Sequence, residues 1–262
     1  MMIIDNGPWI NQMQGLRKIS YSVQCVILAG GLGSRMAAYT GGQSKHLIHV
    51  LGRPFAHYQL TWLAGHGISE VVYCLGHMGE SIERYVGDGS NWGLRVRYVY
   101  DGEQLLATGG ALRRAYEAKA LNRWFLVLYG DSFPPFDFQA LVTAFLAQAK
   151  PAMMAVYHNR QMYDKSNVRF ENGQVNLYMK NAPDDILSTM NWIDYGVSAL
   201  KCEIIDREVP PGEVYDLSVL YNRLSKGGEL AGFEVEERCY EVGSISGLKD
   251  FEGWLEKNKR VF

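Results

Sequence analysis

The stretch 23-VQCVILAGGLGSR-35 places an apolar run directly before a cluster of glycines. The hydrophobicity is essentially continuous rather than alternating, which is typical of a parallel strand that is buried on both faces of its sheet. Glycines after such a strand allow the backbone to approach a bound group closely. The stretch therefore predicts a central buried strand that leads into a ligand-binding loop.

Strands and helices alternate along the chain beyond this point. We predict strands at 70–76, 94–100, 124–130 and 152–158, and helices near 54–65, 79–86, 110–120 and 138–148. Strands that alternate with helices across short loops predict a twisted, mostly parallel sheet with helices on both faces. The predicted fold class is therefore α/β, a Rossmann-like three-layer sandwich.

The pattern changes after Asn159. Two short segments, 167–170 and 174–179, flank a turn with Asn-Gly chemistry, which predicts a β-hairpin and hence a mixed sheet. We predict further strands at 193–200, 230–235 and 238–243, and helices near 214–224 and 248–257. Because no linker or low-complexity tract interrupts the chain, we expect 23–262 to be one domain whose two parts, 23–158 and 159–262, pack together.

Residues 1–22 precede this domain and contain Asp5 and Pro8 instead of the apolar run of a signal peptide. We expect them to form an N-terminal arm, with an interface element and a translation start at Met13 as alternatives. Aromatic residues such as Trp9 would suit a contact between copies of the chain, so a homo-oligomer is one expectation.

Composition excludes several functional classes. The chain has 262 residues, 26 basic and 28 acidic side chains and a formal net charge of -2, which gives no basic excess for binding nucleic acid. No apolar stretch reaches the roughly 20 residues needed to span a membrane. The four cysteines stand far apart, without metal or redox spacing, so we expect free thiols and a cytoplasmic protein.

The glycine-rich loop has the chemistry of a phosphate site. Gly30, Gly31 and Gly33 can present backbone N–H groups to phosphates, while Arg35 and Lys45 add a bidentate and a point positive charge. The loop lacks the Gly-Lys-Ser/Thr ending of a P-loop. It also lacks the acid after the second strand that dinucleotide binding requires. We predict a nucleoside triphosphate as ligand; basic residues on a merely solvated loop are the alternative.

Asp131 is the candidate metal ligand. It ends the buried strand in 127-VLYGDS-132, and open α/β sheets bind ligands at the carboxyl ends of their strands. A hard oxygen ligand at this place suits Mg²⁺, which is usually held by one or two carboxylates together with phosphates. The alternative role is a cap of the following turn.

The spaced residues of the loop form a pattern more specific than a glycine count. Leu-Ala-Gly-Gly at 28–31, Gly-Ser-Arg at 33–35, Ser-Lys at 44–45 and Gly-Arg-Pro at 52–54 resemble the signature of the nucleotide-sugar pyrophosphorylases. This resemblance extends from Val23 to Leu255. It implies the nucleotide-diphospho-sugar transferase fold, with a nucleotide-binding part, 23–158, and an acceptor-binding part, 159–262.

The resemblance also implies residue roles. It implies catalytic roles for Arg35, Lys45 and Asp131. The nucleotide-binding residues that it implies are Leu28, Ala29, Gly30, Gly31, Gly33, Ser34, Arg35, Lys45, Thr108, Gly109 and Gly110.

The segment 101-DGEQLLATGGALRRA-115 resembles the part of the family that holds the base and opens a helix. Gly109 and Gly110 would let a flat base rest against bare backbone, whose amides can bond its edge. The alternative is a helix start capped by Thr108. The run 87-GDGSNWGLRVRY-98 resembles muramic-acid 1-phosphate uridylyltransferases and heptose 1-phosphate guanylyltransferases, which favours UTP or GTP.

The remaining family positions depart from the usual pattern. The family's second metal ligand lies in an Asp-x-Gly, which is Glu241-Val242-Gly243 here, so the resemblance implies Mg²⁺ on Asp131 and Glu241; an ordinary edge-strand acid is the alternative. The family's acceptor-binding Glu-Lys becomes Met179-Lys180, and its Asn-Ala-Gly becomes Asp194-Tyr195-Gly196. The implied acceptor-binding residues are Lys180, Asp194 and Gly196, while Tyr195 equally suits the core.

The function that follows is nucleotidyl transfer from a nucleoside triphosphate to a phosphorylated sugar, such as a precursor of the cell wall or a surface polysaccharide. The departures at Met179, Asp194 and Glu241 motivate one alternative, a non-catalytic nucleotide sensor or scaffold with the same fold. A glycosyltransferase that consumes a nucleotide-sugar is another, although Asp131 is followed by Ser132-Phe133 rather than by the second acid that such enzymes use.

Overall fold

The structure is a computed structural model and describes residues 22–31, 36 and 43–258. Residues 1–21 of the predicted arm and three predicted loop residues, Gly33, Ser34 and Arg35, lie outside the described residues. The strands are β1 Val23–Ala29, β2 His49–Val50, β3 Arg53–Pro54, β4 Ile68–Leu75, β5 Arg95–Tyr100, β6 Trp124–Tyr129, β7 Ser132–Phe133, β8 Ala152–Tyr157, β9 Val168–Glu171, β10 Gln174–Tyr178, β11 Ile193–Lys201, β12 Leu230–Val235 and β13 Tyr240–Glu241.

The helices alternate with these strands. They are α1 Phe55–Gly65, α2 Gly79–Val86, α3 Ala107–Glu117, α4 Phe138–Ala147, α5 Asp184–Leu187, α6 Glu203–Glu208, α7 Leu217–Lys226 and α8 Ile245–Lys257, with single 3₁₀ turns at Lys45–Leu47 and Ser90–Trp92. No helix in the described part of the chain combines the length and apolar character that a membrane crossing requires.

Nine of the described strands form one sheet in the order β5-β4-β1-β6-β11-β8-β12-β10-β9. The block from β5 to β6 is parallel, and so is the pair formed by β8 and β12. Strand β11 runs antiparallel to both of its neighbours, and β10 pairs antiparallel with β9 and β12. The predicted α/β class with a mixed, mostly parallel sheet is confirmed.

Two apolar layers cover the faces of this sheet. Cys25 and Ile27 of β1 belong to the core formed with α1, α2 and α4, whereas Val26 and Leu28 belong to the core formed with α3, α6 and α7. Side chains on both faces of β1 are therefore buried, which explains its continuous hydrophobicity. Each such aliphatic side chain contributes roughly 1.5–3 kcal/mol to folding.

Several element boundaries differ from the sequence prediction. Helix α7 begins at Leu217 instead of near 214, because the Asp216 carboxylate accepts the Ser218 N–H at 2.8 Å and caps it. Helix α8 begins at Ile245 instead of 248, because Ser244 caps it. The strand predicted at 238–243 shrinks to the two residues of β13. Helix α3 begins three residues early, and the short helices α5 and α6 have no counterpart in the prediction.

The topology brings three strand ends together. In the register of β11 with β6, Val197 lies beside Leu128, so the beginning of β11 meets the carboxyl end of β6. Strand β13 pairs with β7, which sets Glu241 opposite Ser132. Asp131, Asp194 and Glu241, distant in sequence, consequently lie at the same edge of the sheet. Both predicted parts, 23–158 and 159–262, supply strands to it, and the division between them stays a prediction.

Candidate functional site

A cleft of ≈ 940 Å³ opens at this edge of the sheet. Members of the predicted catalytic, base-binding, acceptor and metal groups line it, namely Thr108, Asp131, Lys180, Asp194, Gly196 and Glu241. The sequence therefore identified residues that the fold assembles around one cavity. Its volume lies within the range of ligand-binding clefts.

Lys45 and Asp131 form an ion pair at this cleft. Lys45 Nζ lies 2.8 Å from Asp131 Oδ2, and the two side chains are 20% and 28% exposed. Lys45 stands at the start of a 3₁₀ turn that Ser44 caps by accepting the His46 N–H. The short turn thus holds a positive charge beside the acid that ends β6, as phosphate chemistry requires.

His46 anchors this turn to the sheet. Its ring is buried, with Nδ1 2.5 Å from the carbonyl oxygen of Gly130 and Nε2 2.8 Å from the Tyr73 hydroxyl. Because a carbonyl oxygen only accepts, Nδ1 carries the proton and Nε2 accepts from Tyr73. Burial lowers the pKa of His46 to about 4. His46 is therefore a neutral residue that fixes Lys45 against Gly130 and Asp131.

The buried imidazole predicts a pH-dependent stability. An unfolded histidine has a pKa near 6.5, so between pH 6.5 and pH 4 this histidine is protonated in the unfolded state but neutral in the folded state. Stability should fall as the pH drops through this window, by about 2 kcal/mol between pH 7.5 and 5. Urea unfolding of the wild type and His46→Gln at both pH values measures it. An equal pH dependence in the two proteins would refute this assignment.

Glu241 approaches the Lys45–Asp131 pair from β13. A Cβ atom built on Gly243 would lie 2.7 Å from Glu241 Oε2, 3.0 Å from Asp131 Oδ2 and 3.5 Å from Lys45 Nζ. The glycine at 243 is therefore required, since any side chain would fill the space between the three charged groups. The backbone supports this arrangement, because the Val242 N–H donates to the Asp131 carbonyl at 2.9 Å.

The Glu241 carboxylate is held at the start of α8. It accepts hydrogen bonds from the Gly243 N–H and the Ser244 hydroxyl, and a Cβ on Gly247 would overlap it at 1.8 Å. A negative charge is favourable at a helix N-terminus. One carboxylate oxygen thus contacts Ser244 before α8, while the other lies beside Gly243, on which a Cβ would also meet Asp131 Oδ2. The role of Glu241 as a metal ligand stays a prediction.

The carboxylate pair suits a divalent cation. Within residues 22–31, 36 and 43–258, no group of three or more His, Cys, Asp or Glu side chains could form a complete metal site. Two carboxylates that face the same small space fit Mg²⁺, whose remaining positions are usually filled by water and substrate phosphates. Asp131 and Glu241 could therefore hold such a cation only together with further ligands from outside the protein.

Lys180 and Asp194, both predicted to bind the acceptor, line the same cleft. Lys180 Nζ lies 3.1 Å from Asp216 Oδ2. The Asp194 carboxylate accepts the Gly196 N–H at 2.9 Å, a turn that Gly196 permits with a φ of 85°. Sequence reasoning missed Asp216, since an acid directly before a helix is an ordinary cap. The pairing of its second carboxylate oxygen with Lys180 depends on the fold and has no signal in the sequence.

Burial raises the pKa of the Asp194 carboxyl group to about 6, while the hydrogen bond from Gly196 and the charge of Lys180 oppose this increase. The neighbouring Tyr195 is 2% exposed and packs against Phe136 at 5.4 Å between ring centroids. Tyr195 therefore belongs to the core, which was one of the two roles predicted for it. Asp194 is partly buried and lines the cleft, and its ionised form is disfavoured there.

Replacement of Asp194 by asparagine should stabilise the protein. A folded pKa near 6 against an unfolded value of 3.8 means that ionised Asp194 destabilises the fold above pH 6. Asp194→Asn keeps the oxygen that accepts the Gly196 N–H. Its free energy of unfolding should exceed that of the wild type by roughly 2 kcal/mol at pH 7.5, and by less at pH 5. Urea unfolding at both pH values measures the gain. A loss of stability at pH 7.5 would contradict this environment for Asp194.

The predicted base-binding segment has a different environment from that expected. The amides of Gly109 and Gly110 donate to the carbonyl of Tyr215 at 2.7 and 3.0 Å, so neither is free to bond a base in this structure. Thr108 does not cap its own helix; its hydroxyl accepts the Leu217 N–H at 2.8 Å. The two glycines allow the segment before α7 to approach α3, because a Cβ on either would meet that backbone within 2.9 Å.

The first strand of the predicted nucleotide site is packed against β6. The Gly130 N–H donates to the Leu28 carbonyl at 2.9 Å, and a Cβ on Gly130 would lie 2.9 Å from that of Ala29. A Cβ on Gly30 would lie 3.2 Å from the Gly76 nitrogen, whereas one on Gly31 would meet open space. These residues lead into the loop that carries Gly33, Ser34 and Arg35.

The fold and the cleft together define the class of protein. A mixed, mostly parallel sheet carries at one edge a cleft lined by Asp131, Glu241 and Lys180, and Lys45 pairs with Asp131. The family comparison agrees, since residues 25–200 match the model of the MobA-like NTP transferase domain. The chain therefore belongs to the MobA-like NTP transferase family.

Curated relatives carry names of sugar-1-phosphate nucleotidyltransferases. The chain is 27% identical to a UTP–glucose-1-phosphate uridylyltransferase of Synechocystis, in an alignment that covers 74% of this chain. The chain spans about half of that relative, 53% of its length. It is 24% identical to glucose-1-phosphate cytidylyltransferase of Salmonella typhimurium, in an alignment that covers 90% of this chain and 97% of that protein. It is 33% identical to N-acetylmuramate α-1-phosphate uridylyltransferase of Neisseria meningitidis, in an alignment that covers 45% of this chain and 51% of that protein.

Solved structures show the same fold. A glucose-1-phosphate thymidylyltransferase from Bacillus anthracis, described as putative, superposes with a TM-score of 0.74 at 19% identity, covering 88% of this chain and 94% of the other. HddC from Yersinia pseudotuberculosis superposes with a TM-score of 0.74 at 18% identity, covering 89% and 99%. At this identity the likeness concerns the fold alone.

Proposed function

We propose that this protein is a sugar-1-phosphate nucleotidyltransferase that releases pyrophosphate and forms an NDP-sugar. A phosphate oxygen of the acceptor attacks the α-phosphorus of the nucleoside triphosphate in line. The bond between the α-phosphorus and its bridging oxygen breaks, and pyrophosphate leaves with the electron pair. The observation that carries this proposal is a cleft lined by Asp131, Glu241 and Lys180, with Lys45 paired to Asp131 at its edge.

The positive charges account for most of the proposed catalysis. Attack requires two anionic phosphates to approach each other, and cations that are positioned beforehand lower that barrier without further reorganisation. Lys45, fixed by the turn that His46 anchors, is suited to the α-phosphate. Lys180 is suited to the acceptor phosphate, which would replace Asp216 as its partner. Arg35 is proposed to bind the outer phosphates.

Asp131 and Glu241 are proposed to hold Mg²⁺, whose charge would polarise the reacting phosphate oxygens. Asp131 Oδ2 already pairs with Lys45, so this acid would position the lysine and bind the cation at the same time. Glu241 receives two hydrogen bonds at the start of α8, which fix its orientation before any cation arrives. The chain's own residues thus supply a preorganised pair of carboxylates.

The substrates are proposed from the relatives and from the local resemblance. UTP and GTP are the first nucleotides to test, and the acceptor is proposed to be a sugar 1-phosphate that serves the cell wall or a surface polysaccharide. The four cysteines are free thiols, a state that the reducing cytoplasm maintains, which supports a cytoplasmic location.

A substrate matrix tests the proposal. Purified protein with Mg²⁺ is incubated with each of ATP, GTP, CTP, UTP and dTTP against a set of hexose, heptose and N-acetylhexosamine 1-phosphates, and pyrophosphate release is followed. We expect release with one nucleotide, and only when an acceptor is present. Mg²⁺-dependent binding of a triphosphate without release from any pair would instead favour the sensor or scaffold alternative.

A further inference from the structure

The cleft carries a second cationic group, separate from Lys180, that the proposed reaction does not use. Arg238, between β12 and β13, lines the cleft with Tyr163, Tyr240 and Asp250. Its guanidinium lies 4.0 Å above the ring of Tyr163 and 4.8 Å from that of Tyr240. One Nη atom donates to Asp250 of α8 at 2.8 Å. Two rings and one acid therefore fix the plane of the guanidinium.

The two cationic groups lie on opposite walls of the cleft. Lys180 pairs with Asp216 at the start of α7, which packs on the face of the sheet that α3 and α6 also cover. Arg238 pairs with α8, which packs through Phe251 against Phe55 of α1 and Phe133, on the other side. A ligand that spans the cleft can therefore meet one positive charge at each end.

The loop that carries Tyr163 is built to hold its position. Asn159, fully buried, donates to the Asp164 carbonyl at 2.6 Å and to the Ser166 hydroxyl at 3.1 Å. Gln161 accepts the Ser166 N–H at 2.9 Å. The Tyr163 ring lies 6.2 Å from that of Tyr157 at the end of β8. An arginine held this way loses little further freedom when it binds an anion.

The arginine is placed for a ligand more than for stability. Its side chain is 23% exposed and that of Asp250 is 51% exposed, and an ion pair as open as this contributes little to folding. Glu241, another acid that lines the cleft, would be neutralised by the cation in the proposed function. Arg238 then remains as the positive charge of its wall.

We propose that Arg238, set by Tyr163 and Tyr240, binds a carboxylate on the acceptor, so that the preferred acceptor is a sugar 1-phosphate that carries a carboxylate group. The inference rests on the proposed function and names its substrate class. The planar guanidinium fork can bind a carboxylate through two parallel hydrogen bonds, and Arg238 already pairs with one carboxylate, that of Asp250. Lys180 binds the phosphate at the opposite wall.

Matched acceptors test the inference on the intact protein. Glucose 1-phosphate is compared with glucuronate 1-phosphate, in which a carboxylate replaces the hydroxymethyl group. N-acetylglucosamine 1-phosphate is compared with N-acetylmuramate 1-phosphate, which adds a lactyl ether that carries a carboxylate. We expect kcat/KM to favour the carboxylated acceptor by about tenfold or more in at least one pair. Glucose 1,6-bisphosphate is measured alongside, to test whether Arg238 prefers a second phosphate group to a carboxylate.

Variants assign the preference to Arg238. Arg238→Gln should reduce the ratio of kcat/KM values between the matched acceptors about tenfold, and Arg238→Lys should reduce it less. Asp250→Asn should raise the ratio, because Asp250 competes for the guanidinium. Thermal unfolding of each variant checks that it folds. The ratio of kcat/KM values for the wild-type protein tests the inference even if a variant fails to fold.

Three results would overturn the inference. They are a preference for the neutral acceptor in both pairs, a ratio that Arg238→Gln leaves unchanged, and an Arg238-dependent preference for the bisphosphate alone. Turnover of neutral acceptors without a carboxylate preference would refute only this inference. An absence of turnover with every nucleotide and acceptor would refute the proposed function itself.

Discussion

Asp131→Asn is expected to lower kcat by about a thousandfold, the largest effect of any single substitution in this protein. The change keeps the size of the side chain but removes the charge that pairs with Lys45 at 2.8 Å. It also removes one of the two carboxylates proposed for Mg²⁺. A single mutation therefore disturbs both the cation and the lysine that flank the reacting phosphates. Initial rates of pyrophosphate release at saturating substrates measure the loss.

Asp185→Asn provides the matched control. Asp185 is an exposed acid of α5 that does not line the cleft, so its replacement should leave the rate close to that of the wild type. Circular dichroism and thermal unfolding would establish that Asp131→Asn folds. A folded Asp131→Asn protein with more than a tenth of the wild-type kcat would remove Asp131 from the reaction.

Lys45→Ala is expected to lower kcat by about a hundredfold, with a smaller change in the KM of the nucleotide. The lysine is held beside Asp131 by a turn that His46 fixes to the sheet, so its charge is available before substrate binds. A cation that acts on charge developing during transfer affects kcat more than ground-state binding. Steady-state kinetics with the preferred nucleotide separates the two parameters.

Lys226→Ala is the corresponding control, because Lys226 is exposed at the end of α7, outside the lining of the cleft. If Lys45→Ala raised only KM and kept kcat, Lys45 would bind nucleotide without contributing to transfer. That result would move the catalytic charge to Arg35 or to the bound cation.

The sheet and much of the cleft could be predicted from local sequence. Asp131 ends a buried strand, and its place at the sheet edge follows from the rule that ligands bind at the carboxyl ends of parallel strands. The continuous apolar pattern of β1 predicted burial on both faces, which the two cores confirm. These features depend on residues close together in the chain, so periodicity and turn chemistry reveal them.

The rest depends on contacts between distant segments. Glu241 reaches Asp131 because β13 pairs with β7, and no periodicity in a two-residue strand indicates that pairing. Gly109 and Gly110 allow Tyr215 to approach α3, a structural role that the sequence pattern did not reveal, and their predicted base-binding role stays a prediction. Arg238 meets Tyr163 across 75 positions of sequence, which only the folded chain brings together.

Phosphorus NMR of the reaction mixture tests nucleotidyl transfer most directly. The protein is incubated with Mg²⁺, its preferred nucleoside triphosphate and a sugar 1-phosphate, and the phosphorus resonances are followed with time. We expect the triphosphate and the sugar 1-phosphate to decline together while pyrophosphate and a diphosphate linked to sugar and nucleoside appear in equal amounts. Release of inorganic phosphate with an unchanged sugar 1-phosphate would show hydrolysis instead, and would contradict the assignment of this cleft to nucleotidyl transfer.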